Sequence, residues 1–106
     1  MKIGILGSGY IATKIAEAIR VLDEKGYGVK AYAIASRSIE KAKQFASDFH
    51  FEKAYGSYEE LAQDKEVDLI YVATPHSEHY SNIKLCLKYE KNLLVEKAFT
   101  ANLLQA

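Results

Sequence analysis

The sequence predicts an α/β protein: a doubly wound parallel sheet in three layers, α/β/α, with spatial strand order 3-2-1-4-5. Three observations lead there. Short, nearly all-apolar runs alternate with segments of helical period, as expected for parallel strands buried on both faces and joined by crossover helices. The 106 residues contain no internal repeat, low-complexity tract or Pro/Gly/Ser-rich linker, so one domain of ordinary size is expected over residues 1–106. Right-handed crossovers then dictate the strand order.

The elements follow in turn. "KIGIL" (2–6) is a compact apolar run ending in glycines. From Tyr10 the period becomes helical, and Ile11, Ile15, Ala18, Ile19 and Leu22 fall on one face. "GYG" (26–28) stops that helix, and "VKAYAIA" (29–35) is the second strand. Ser38 caps a second helix with an inner face of Ala42, Phe45, Ala46 and Phe49. A short strand at 54–55 precedes "SYEE", where Ser57 and Glu60 have capping-box spacing. "VDLIYVAT" (67–74) is the most apolar strand, and the helix after Pro75 carries Tyr80, Ile83 and Leu87 on one face. "NLLVE" (92–96) is the last strand, with Thr100 placed to cap a further helix.

Composition narrows the function. Fourteen Lys and Arg balance fourteen Asp and Glu. No global field therefore favours nucleic acid or an anionic membrane, and neither is expected as a partner. Cys86 is the single cysteine, which rules out an intrachain disulfide and suits a packing thiol. The N-terminal apolar run is too short for a signal-peptide core, and no run reaches the roughly 18 apolar residues of a membrane span. A cytoplasmic protein is the default expectation.

In a doubly wound sheet, ligands bind beyond the carboxyl ends of the strands, where the strand order reverses. After the first strand stands "GSGYIA", which places Gly7, Gly9 and Ala12 in G-x-G-x-x-A spacing. One glycine permits the tight turn and the next lets backbone amides approach a pyrophosphate. Ala12 allows the helix to pack closely on the strand, and the helix N-terminus offers free N–H groups to an anion. Because a strand precedes the pattern and a helix follows, Gly7, Ser8, Gly9, Tyr10, Ile11 and Ala12 form a candidate dinucleotide loop. A purely structural turn is the competing reading.

After the second strand, an NAD site carries an acidic residue for the ribose hydroxyls. Here the chain reads "ASRS", with no carboxylate. Ser36, Arg37 and Ser38, with Lys41 one turn on, suit the extra phosphate of NADP. NADP is favoured over NAD on that ground. After the fourth strand, Thr74 and Pro75 form a crevice wall, and His76 and His79 are placed to touch the cofactor. Their spacing can bind metal, but no cysteine or further near histidine accompanies them, and no metal is expected. After the fifth strand come Glu96 and Lys97. A lysine at that tip can hydrogen-bond a nicotinamide ribose or polarise a substrate oxygen, whereas an ordinary charged pair closing a strand is the plain alternative.

Taken together, "GILGSGYIA", "ASRS", "VATPHSEHY" and "VEKAF" resemble the N-terminal Rossmann domain of the glucose–fructose oxidoreductase / inositol dehydrogenase (Gfo/Idh/MocA) family. "ASRS" and "EKAFT" are similar to its dihydrodiol-dehydrogenase-like branch. The resemblance implies NAD(P)-dependent transfer of hydride to or from a secondary alcohol or carbonyl on a sugar, cyclitol or dihydrodiol, a small polyol-like substrate. It makes Lys97 the catalytic residue contacting the nicotinamide ribose, with Glu96 fixing the strand end. Ala98 stands where the family usually has proline.

Family members continue into a second, mostly antiparallel domain that carries the acid–base residue and most of the substrate pocket. The chain is therefore expected to be a truncated, cofactor-binding portion of an oxidoreductase, without turnover by itself. A free-standing dinucleotide-binding sensor or interaction module is the alternative. An under-covered edge beside "NLLVE" also leads us to expect self-association, which a sharp monomer over a wide concentration range in sedimentation would contradict.

Overall fold

The computed structural model of the chain describes residues 1–74 and 78–95. β1 (Lys2–Leu6), α1 (Tyr10–Glu24), β2 (Lys30–Ala35), α2 (Ile39–Phe49), β3 (Lys53–Tyr55), α3 (Tyr58–Ala62), β4 (Leu69–Val72), α4 (His79–Lys88) and β5 (Asn92–Val95) follow one another. Every strand pair is parallel and the sheet order is β3-β2-β1-β4-β5. The predicted α/β/α doubly wound architecture is the one observed. The strands of the described sheet are shorter than the apolar runs, with 67–68 and 73–74 lying outside β4.

Side chains alternate across each strand, so the sheet carries two cores. Ile3, Ile5 and Ile34 pack on one face with Ala12, Ile15, Ala16 and Ile19 of α1 and Phe45 of α2. On the other face, Leu6, Ile70 and Val72 pack with Leu61 of α3 and Cys86 of α4. Burial pushes the Cys86 thiol up to about 11, which keeps it protonated as a packing group.

Two helix faces differ from the sequence reading. In α1, Ala12 and Ala16 lie against the sheet beside Ile15 and Ile19, whereas Ile11 and Leu22 are exposed. Small alanines let α1 sit close to β1, and that rotates the larger flanking residues outward. Ile11, Ala18 and Leu22 instead line an apolar groove of about 400 Å³ with Leu69, Tyr71 and Leu94. In α4 the buried residues are Asn82 and Cys86, while Tyr80 and Leu87 are exposed. An apolar periodicity cannot find an inner face whose key residue is polar. Asn82 is buried because the Thr74 hydroxyl donates to its side-chain oxygen, which offsets the cost of burial.

Capping follows the sequence. The Ser38 hydroxyl accepts the Lys41 amide at 3.3 Å at the start of α2, and Ser57 accepts the Glu60 amide at 3.3 Å at the start of α3. β5 lies at the edge of the sheet, and its Leu94 is exposed. Among the described residues, no helix is long and apolar enough to cross a membrane.

Candidate functional site

The carboxyl ends of β1, β2 and β4 open onto a cavity of about 610 Å³. Its walls are the Gly7–Ile11 loop, Ser36 and Arg37 after β2, Lys41 on α2, Tyr58 on α3, and Ala73 and Thr74 after β4. The strand order reverses here, because β1 has β2 on one side and β4 on the other.

The chain reaches this geometry by prolonging its ladders just past the strands. The Gly7 amide donates to Ala35 O at 2.8 Å, the Ser36 amide to Tyr55 O at 3.1 Å, and the Ala73 amide to Leu6 O at 2.9 Å. Gly7 then turns at φ +106°, a conformation open mainly to glycine. A Cβ there would lie 2.8 Å from the Ala73 carbonyl oxygen, so β1 and the β4 end touch backbone to backbone. Gly9 differs, because a Cβ added to it would meet no atom within 4 Å. The space it leaves belongs to the cavity.

Gly9 is also the N-cap of α1, and it supplies no side-chain cap. The first turn of α1 holds no acidic residue, unlike those of α2 and α3, which hold Glu40 and Glu59 with Glu60. The unpaired amides at this end, with the positive end of the helix dipole, therefore face open space suited to an anion. Ser8 bridges from the loop to the end of β2, its hydroxyl 3.3 Å from that of Ser36. Ser36 Oγ also accepts the Ser38 amide at 3.4 Å, so this buried serine is anchored in the β2–α2 turn.

Arg37 and Lys41 place cationic groups at the far side of the loop. Arg37 is paired, its guanidinium 2.8 Å from Oε1 of Glu78 at the start of α4. Tyr58 lies near both, and burial, then the Glu78 charge, push its phenol above the ordinary tyrosine value, while Arg37 pulls the other way. His79 Nε2 is 2.9 Å from the Thr74 carbonyl, which requires the ring to donate from Nε2. With the Thr74–Asn82 bond, this contact ties the N-terminal part of α4 to the end of β4.

Of the predicted site residues, Gly7, Ser8, Gly9, Tyr10, Ile11, Ser36, Arg37, Lys41 and Thr74 come together around the one cavity. Ala12, in the first turn of α1, is fully buried against the sheet and acts by packing, and Ser38 is occupied as the α2 cap. Pro75, His76, Glu96 and Lys97 lie outside the described residues. Sequence reasoning did not single out Tyr58, Ala73 and Glu78. Each comes from the start of a helix or the end of a strand whose own local pattern carries no ligand signature; the topology brings Tyr58 and Ala73 to the crevice wall and Glu78 beside Arg37. Among the described residues, no group of three or more His, Cys, Asp or Glu is gathered to hold a metal.

A family model described as "Oxidoreductase family, NAD-binding Rossmann fold" (Gfo/Idh/MocA) matches residues 1–106. The chain belongs to this family. It is 42 % identical over 104 residues to a trans-1,2-dihydrobenzene-1,2-diol dehydrogenase of Xenopus tropicalis, covering 98 % of this chain and 31 % of that protein. It is 43 % identical to a D-xylose 1-dehydrogenase (NADP(+)) of Hypocrea jecorina, with 100 % of this chain and 29 % of that one covered. Among solved structures, a 3-ketoreductase from Actinomadura kijaniata in complex with NADP and TDP-benzene superimposes with TM-score 0.80 at 31 % identity, over 94 % of this chain and 30 % of that one. This member of the family thus spans about 30 % of the length of the curated relatives it matches. The family resemblance seen in the four strand-end motifs and the observed sheet order agree with these matches.

Proposed function

We propose that the crevice binds a nicotinamide dinucleotide, NADP in preference to NAD, as the cofactor half of a dehydrogenase or reductase acting on a CH–OH or carbonyl group. The observation that carries this reading is the uncapped N-terminus of α1, opening through Gly9 onto a cavity that Arg37 and Lys41 also line. The residues present suit the cofactor. The amides after Gly9 would hold the pyrophosphate, while Ser36, Arg37 and Lys41 would hold a phosphate on the adenosine ribose. Bound there, the cofactor supplies a hydride donor or acceptor.

The xylose and dihydrobenzenediol dehydrogenases named above act, by their names, on a sugar and on a diol. That supports a polyol-like substrate for the whole protein, with Lys97 proposed on the nicotinamide side. Lys97→Ala in a longer chain that carries a substrate domain should lower kcat, and unchanged turnover would remove it from that role. The single cysteine, which offers no disulfide framework, is the ground for proposing a cytoplasmic setting, and the β5 edge remains the proposed surface for self-association.

Titration of NADPH and NADH into the purified chain tests the cofactor reading. NADPH should bind more tightly. Arg37→Ala should remove about ten- to a hundredfold of NADPH affinity, the equivalent of one or two charge-assisted hydrogen bonds, and leave NADH nearly unaffected. Equal affinities, unchanged by Arg37→Ala, would contradict the phosphate-reading role.

A further inference from the structure

We propose that Glu78 sets how strongly the crevice prefers a phosphorylated ribose, by competing with the ligand's phosphate for Arg37. The inference rests on the cofactor reading above and concerns a residue outside the glycine loop and outside the β2–α2 turn. The turn "ASRS" lacks the carboxylate that serves an unphosphorylated ribose. The fold nevertheless delivers one to the same place from another strand end, with Glu78 Oε1 2.8 Å from Arg37 Nη2.

The two partners are unequal. The Arg37 side chain is 72 % exposed, whereas that of Glu78 is 21 % exposed. Glu78 is also the N-cap residue of α4, and α4 is tied to β4 through the contacts of His79 and Asn82 with Thr74. The carboxylate is therefore the more buried member, on a tethered helix end, and the guanidinium the more exposed and freer one. Tyr58, in the cavity wall with Arg37, lies close enough to feel both charges.

A ribose phosphate entering beside Arg37 brings a charge near −2 to the neighbourhood of a carboxylate that stays in place. Glu78 Oε1 accepts no hydrogen bond, so charge alone holds Arg37 beside it. Arg37 can turn its donors to the phosphate, which then meets the like charge of Glu78. A ribose 2′-hydroxyl meets no such conflict, because a carboxylate accepts its hydrogen bond. Glu78 thus restrains the preference that Arg37 creates, which brings the two cofactors closer in affinity.

Glu78→Gln removes the charge and keeps the shape. Its NADPH dissociation constant should fall about fivefold, the effect of one unit-charge interaction at about 4 Å in water, while that for NADH changes less than twofold. Glu78→Ala should shift the ratio in the same direction, and circular dichroism of both variants should match the parent chain. An unchanged ratio, or weaker NADPH binding in Glu78→Gln, would overturn the proposal. If the parent chain prefers NADPH and Arg37→Ala abolishes that preference while Glu78→Gln leaves it alone, the cofactor reading stands and this inference fails. If the parent chain binds neither nucleotide, both fail.

Discussion

Gly7→Ala should destabilise the fold by about 2–4 kcal/mol, lowering Tm by roughly 10–20 °C in thermal unfolding. Two costs add at this position. An L-residue at φ +106° is strained, and the new Cβ would approach the Ala73 carbonyl oxygen to 2.8 Å and its carbon to 3.1 Å. Neither backbone can easily yield, because Gly7 N donates to Ala35 O and Ala73 N to Leu6 O. Gly26→Ala separates the two costs. Gly26 also has positive φ, at +83°, but a Cβ there meets nothing within 4 Å. Its substitution should cost only about 1 kcal/mol of strain. Equal losses at the two positions would show that the contact with Ala73 does not matter.

Gly9→Val should do the opposite: leave Tm within a few degrees and lower affinity for either nicotinamide nucleotide by about a hundredfold or more. The backbone at Gly9 has φ −88° and ψ −159°, extended values that a β-branched residue tolerates. A Cβ there meets no protein atom, so the fold has no reason to object. The valine would occupy the cavity at the N-terminus of α1 and keep a pyrophosphate from the amides. Fluorescence titration of NADPH, with a melting curve of the same sample, reads both quantities. Retained affinity would mean that the nucleotide does not approach this turn. The two glycines look interchangeable in the motif; one serves the fold and the other the ligand.

The sheet was legible in the sequence because parallel strands buried on both faces are written as apolar runs, and "KIGIL" and "VDLIYVAT" allow little else. The glycine loop and the "ASRS" turn were legible because a backbone approaching phosphate needs glycine, and a phosphate reader needs cations. The helix faces were less so. In α1 the alanines face the sheet, and a search for large apolar residues selects their neighbours instead. In α4 the inward residue is Asn82, whose burial depends on a partner, Thr74, on another element. Glu78 was illegible for the same kind of reason. Within "ATPHSEHY" it is one polar residue among several, and its meaning comes from Arg37, which only the folded chain places beside it.

The central claim is that one crevice, at the carboxyl ends of β1, β2 and β4, receives the dinucleotide with its pyrophosphate on the N-terminus of α1. Backbone amide resonances of the isotope-labelled chain, followed during addition of NADPH, test it most directly. The amides of Ser8 through Ala12 should shift most, together with those of Ser36 and Arg37, while those of Ala18, Leu22 and Leu94 along the apolar groove should stay in place. Shifts centred on that groove, or none at millimolar nucleotide in a folded sample, would contradict it.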